Sequence, residues 1–182
     1  MSLFRKMIAG AAALAAGAVA ACDQMPTTRV VHMRPGGIAD LLRSATSHGP
    51  LVVETLGNPF AEASPQAVAD VVAATVRTAV QSRIIGVVTA PEPGPPPVYR
   101  LRVALDVSPA TNPRTLCGDD VAVAPPGAGD RLGVLMVFCT RDEMEAAVRG
   151  HIPRPADPAE ARFGKLIGQM TRDIFAARPI GG

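Results

Sequence analysis

The 182-residue sequence contains no tryptophan, a single tyrosine and five phenylalanines. Base stacking and sugar stacking both rest on aromatic faces, so this scarcity argues against a single-stranded nucleic-acid groove and, less strongly, against a carbohydrate platform. Charge of one sign is missing as well. Without residues 1–21, which hold two basic residues and no acidic one, the chain carries 16 basic and 16 acidic side chains, so no strongly basic face for a nucleic-acid partner is indicated. Histidine is scarce, and His32, His48 and His151 show no metal-ligand spacing. Pro126-Gly127-Ala128-Gly129-Asp130 lacks the Gly-Lys-Ser/Thr ending of a phosphate loop and precedes a strand, so it reads as a turn. Asp119, Asp120 and Asp130 share one long connection without the Asp-x-Asp-x-Asp-Gly order of a calcium loop. No cofactor or metal is expected.

What is present is concentrated at the N-terminus. Arg5 and Lys6 precede an Ala-rich apolar stretch from Met7 to Ala18, and Val19-Ala20-Ala21 then leads to Cys22. These are the basic, apolar and small-residue segments of a secretory signal. About 12 apolar residues are too few to cross a bilayer, which takes ~20. Val19-Ala20-Ala21-Cys22 resembles the lipobox of bacterial lipoproteins, in which the cysteine takes diacylglycerol on sulfur and becomes the first residue. The resemblance implies removal of residues 1–21, lipidation of Cys22, and a membrane anchor of two or three acyl chains. It also implies a periplasm-facing location. Asp23 resembles the signal that keeps some lipoproteins in the inner membrane, a rule that differs between bacteria, so inner and outer membrane both stay open.

Commitment of Cys22 to lipid leaves Cys117 and Cys139 as an even pair in an oxidising compartment, and a disulfide is the economical reading. The rival is a reactive thiol at Cys117, disfavoured because Asp119 and Asp120 beside it oppose thiolate formation.

Along the chain, residues 22–50 are polar and broken by Pro26, Pro35, Gly36, Gly37, Gly49 and Pro50. They read as a lipidated, flexible tether with a reach of roughly 26–31 Å, with room for a short helical turn near residues 38–43. Residues 51–182 are expected to form one domain. Leu51 to Thr55 reads as a strand, and Ser64-Pro65 caps a helix to about Ser82 with a stripe of Val68, Val72, Val76, Ala79 and Val80. Ile84 to Val88 suggests a brief strand, and the proline-rich residues 91–97 an extended loop. Tyr99, Leu101, Val103, Leu105 and Val107 alternate with Arg100, Arg102, Ala104 and Asp106, which predicts a strand with one buried and one polar face. Leu132 to Cys139, apolar on both faces, predicts a central strand. Thr140 and Glu143 have capping-box spacing before Met144, Ala147 and Val148, which suggests a helix over 141–149. A last helix is expected to open at Asp157-Pro158 and bury Phe163, Leu166, Ile167, Met170 and Ile174. The expected fold is α+β, a two-layer sandwich with helices on one face of a mainly antiparallel sheet.

Gly57-Asn58-Pro59-Phe60 after the first strand, Tyr99–Val107 before Leu116-Cys117-Gly118, Val137-Phe138-Cys139 and the Arg162-Phe163 helix resemble a family of uncharacterised proteobacterial envelope lipoproteins, over residues 51–177. The resemblance implies a Cys117–Cys139 disulfide and supplies no activity. The functional expectation is a membrane-anchored, non-enzymatic lipoprotein that scaffolds or regulates an envelope assembly through a protein partner. The alternative is a periplasmic carrier of an apolar or lipid ligand held between the helix layer and the sheet. A hydrolase built on carboxylates such as Glu54, Asp106, Asp119 or Glu160 is the weakest reading, and its mark would be two or more of these groups, Asp120 and His151 converging in one deep pocket with strongly shifted pKa values.

Overall fold

A computed structural model describes residues 25–36, 38–47, 49–80, 85–89, 97–118 and 129–175. Cys22, His48, Asp119, Asp120 and nearly all of the proline-rich loop lie outside the described residues. The elements in chain order are β1 (Thr27–Met33), α1 (Ala39–Ala45), β2 (Leu51–Leu56), α2 (Pro65–Ala79), β3 (Val87–Val88), β4 (Tyr99–Leu105), a 3-10 turn (Pro113–Cys117), β5 (Arg131–Thr140), β6 (Glu143–Pro153) and α3 (Ala161–Phe175). The six strands form one sheet in the order β1-β6-β5-β4-β2-β3. The four strands from β1 to β4 across this order pair antiparallel, whereas β2 runs parallel to both β4 and β3. The fold is α+β with the helices packed against the sheet, as the alternation of elements in the sequence implies.

Each helix is fixed by local chemistry and then by its apolar stripe. Ser64 Oγ accepts a hydrogen bond from the Ala67 N–H, and Pro65 occupies the first turn, where a missing donor costs nothing. Val68, Val72 and Val76 of α2 and Phe163, Leu166, Ile167 and Met170 of α3 are fully buried against Val53, Leu101, Val103, Met136 and Phe138 of the sheet. The few aromatics are spent here. Phe60 packs edge-on against Phe163 at 5.3 Å between ring centroids, and Phe138 against Phe175 at 5.4 Å. Gly57-Asn58-Pro59-Phe60 is the turn that seats Phe60: Gly57 has φ 82°, and Asn58 accepts from the Phe60 N–H and donates to the Ala63 carbonyl.

Three expectations are corrected. First, residues 22–50 are not a tether throughout. Thr27–Met33 is an edge strand registered on β6 from Thr27↔His151 to Met33↔Ala146, and Ile38 and Leu42 enter the main core. Pro35-Gly36 and Gly49-Pro50 stand at the turns between these elements. Second, the segment expected as a helix over 141–149 is the hairpin into β6, with Arg141 at φ 52° in the turn. Its Ala and Gly content signals close packing. A Cβ on Gly150 would lie 2.7 Å from Leu166 Cδ1 and 3.0 Å from Met170 Sδ, so small residues in β6 let α3 approach the sheet. Third, regular α3 starts at Ala161. Asp157 and Glu160 make cap-like hydrogen bonds to the N–H groups of Ala159 and Ala156, but in a turn preceding the helix.

A chain beginning at Leu51 is therefore expected to lose stability relative to one beginning at Asp23. Removal of Ile38 and Leu42 alone forfeits roughly 3–6 kcal/mol of burial, and the β6 edge is bared. Urea unfolding of the two chains, with aggregation followed by light scattering, checks this; equal midpoints would restore the tether.

Candidate functional site

The face of the sheet away from the helices decides what the charged residues can do. The sequence predicts β4 to expose Arg100 and Arg102 on that face, yet both are buried, at 5% and 6% exposure. The 3-10 turn Pro113–Cys117 lies over them. Asn112 opens this turn by accepting from the Arg114 N–H, and Pro113 follows in its first position. Arg100 donates to the Cys117 carbonyl at 2.6 Å, and Arg102 to the Leu116 carbonyl at 2.6 Å and to the Gly118 carbonyl. Glu54, directly opposite Arg102 in the parallel β2–β4 register, accepts from Arg102 Nε. Cys117 is bonded to Cys139 of β5, with the α-carbons 5.7 Å apart. Around this bond Ala104, Leu116, Leu135, Val137 and Ala147 form a second, smaller core.

Glu54, the most unusual carboxylate in the sequence, is thus an ion-pair partner within the sheet. The signal that could have found this was Arg102 with its own strand period, but only the parallel register places the two side by side. Cys117 is no thiol nucleophile in this structure. A buried disulfide is the bonding state of an oxidising space and agrees with a periplasmic location.

At the end of β4 the sheet opens into a cleft of about 430 Å³, lined by Asp106, Val107, Pro109, Arg131, Arg149 and His151. Gly133 forms part of its floor, where a Cβ would stand 2.8 Å from the Val107 carbonyl oxygen. Asp106 adopts φ 59° and receives two hydrogen bonds from Arg154, at 2.8 and 3.1 Å. Arg149 spans the rim by donating to the carbonyls of Ser108 and Thr111, and burial lowers its pKa from the ordinary guanidinium value. Asp106 and His151 therefore come together, whereas Glu54 and Glu160 do not join them; Glu160 is held by the Ala156 N–H and Arg162. His32 lies on β1, away from any metal cluster, and no group of three or more metal-ligating side chains occurs among the described residues. The cleft offers positive charge beside an apolar wall, with its carboxylate committed to Arg154.

No family model matches the chain, and no curated protein matches it. Among solved structures, the chain is similar to the PelC dodecamer from Paraburkholderia phytofirmans, at 14% identity and a TM-score of 0.42, over 82% of this chain and 94% of that one. It is also similar to a point variant of the same dodecamer in another crystal form, at 13% identity and a TM-score of 0.40, with the same coverage. At this level of likeness no residue role, ligand or assembly is transferred.

The clamp and the cleft predict separable effects. Arg102→Ala removes a buried cation from three acceptors and is expected to cost about 3 kcal/mol or more in urea unfolding. Joint replacement of Cys117 and Cys139 by alanine is expected to cost about 2–5 kcal/mol. Asp106→Asn keeps a side chain that tolerates positive φ while removing the ion pair, so a loss of about 1–3 kcal/mol is expected. A change within measurement error for Arg102→Ala would dismiss the clamp.

Proposed function

We propose that the chain is a lipoprotein anchored through Cys22 on the periplasm-facing side of a cell membrane, with a non-enzymatic scaffolding or regulatory role toward an envelope protein. The observation that carries this reading is where the fold begins. Thr27 is already paired in the sheet, five residues after the cysteine at which the signal-like segment ends. A lipid on Cys22 would hold the domain itself at the membrane, because five residues span at most about 18 Å. The non-enzymatic part is supported by the use of the chain's most suggestive groups in structure: Glu54 on Arg102, Asp106 on Arg154, and Cys117 on Cys139.

A carrier role is the second reading, favoured by the volume and apolar wall of the cleft. It differs from the expectation in place, since the space between helices and sheet is filled by fully buried side chains and the cleft opens at the end of β4.

Mass spectrometry of protein purified from membranes is expected to show diacylglyceryl on Cys22 and loss of residues 1–21, and Cys22→Ser is expected to release the domain into the soluble periplasmic fraction. An unmodified Cys22 thiol in exported protein would overturn the anchor. A small molecule retained in native mass spectra, and lost when Pro109→Trp narrows the cleft, would favour the carrier.

A further inference from the structure

We infer that the outer edge of β1 is a docking face for a bilayer surface carrying anionic headgroups, so that the domain lies against the membrane by one defined edge of its sheet. The inference rests on the lipid anchor at Cys22. Strand order leaves β1 paired only to β6, with its other side at the margin of the sheet. Large apolar side chains are exposed at four of the described positions, and three of them belong to this edge and its approach: Met25 at 64%, Val30 at 40% and Val31 at 43%. Val31 is the extra residue of a β-bulge between Val30 and His32, a distortion that turns an edge away from further strand pairing.

Charge on the same edge selects the kind of surface. Arg29 is exposed, stands directly opposite Arg149 in the β1–β6 register, and makes no ion pair or side-chain hydrogen bond among the described residues. Like charges opposite each other on neighbouring strands are destabilising, so an anion beside Arg29 would relieve the pair. Of the carboxylates nearby, Glu145 is paired with Arg34, and Asp173 of α3 keeps its charge while accepting from Thr28 and Gln169 on the helix side of the sheet, the side opposite to Arg29. Arg29 on one face of this margin and Val30 on the other, with Met25 and Val31 beside them, flank the edge with the basic and apolar side chains that suit the headgroup region, where each basic residue near an anionic surface contributes attraction.

Chain length argues for lipid over a protein at this edge. The start of β1 stays within about 18 Å of the α-carbon of Cys22. An acyl anchor there keeps this margin of the sheet, and not the β3 margin five strands away, next to the bilayer.

The absence of tryptophan makes the test direct. Val31→Trp, Met25→Trp and, on the opposite margin, Thr89→Trp beside β3 each install a unique fluorophore, the margins being about 24 Å apart across five strand spacings. Each full-length protein, with acylation of Cys22 verified by intact mass, is reconstituted into vesicles of phosphatidylcholine and phosphatidylglycerol brominated near the glycerol end of the acyl chains. Quenching several-fold stronger at positions 25 and 31 than at position 89, and weakened by Arg29→Glu in phosphatidylglycerol-containing vesicles but not in neutral ones, is the expected result. Equal or absent quenching at all three positions in acylated protein overturns the docking face and leaves the anchor intact. Protection of the fluorophore at position 31 that rises with protein concentration, without lipid quenching, assigns the edge to a second copy and also overturns it. Absence of acyl chains on Cys22 overturns anchor and docking face together.

Discussion

The second face of the sheet is closed by two arginines donating to backbone carbonyls, and much else follows from that contact. Arg100 and Arg102 project from β4 into a space that would otherwise hold water, and the turn at residues 113–118 supplies the acceptors. Buried guanidinium groups are costly unless their donors are met, so the turn and the arginines require each other. The Cys117–Cys139 bond fixes the turn from its other end. One covalent link and a set of charge-assisted hydrogen bonds thereby let a chain with few aromatics bury both faces of β4 and β5.

That closure also sorts the charged residues. Glu54 is drawn into the ion pair with Arg102, and Asp106, where β4 ends and the chain turns with positive φ, is drawn into the pair with Arg154. Two groups that a linear reading could place in a catalytic pocket are thus ion-pair partners within the fold. What the closure leaves open is the cleft beyond the end of the turn, next to the β6 residue that pairs with the start of β1. Cleft and chain entry consequently share one end of the sheet.

Local signals were legible where the physics is local. The Ser64-Pro65 cap, the valine stripe of α2, the strand at β4 and the doubly apolar β5 all appear in the structure within a few residues of their sequence limits. The signals misled where a residue's role depends on a neighbour far along the chain. Met144 to Val148 has helix-compatible spacing, yet β5 and β1 both need a partner and α3 needs small residues beneath it, so the segment is a strand. Proline and glycine around residues 26–50 look the same in a loose tether as in the turns of a strand and helix held by tertiary contacts. Arg100 and Arg102 read as solvated because nothing near them in sequence announces the turn 14–17 residues later that covers them.

The sequence alone determined the α+β class, the main apolar stripes, the even pair of cysteines and the signal-like run ending at Cys22, because each is written in residues close together or in simple counting. Only the tertiary structure decided that β1 belongs to the sheet, that the arginine face of β4 is interior, that Glu54 pairs with Arg102 and Asp106 with Arg154, and where a cleft opens. Those outcomes depend on strand register and on which backbone carbonyls reach a buried cation, and both are set by contacts between segments that no local pattern connects.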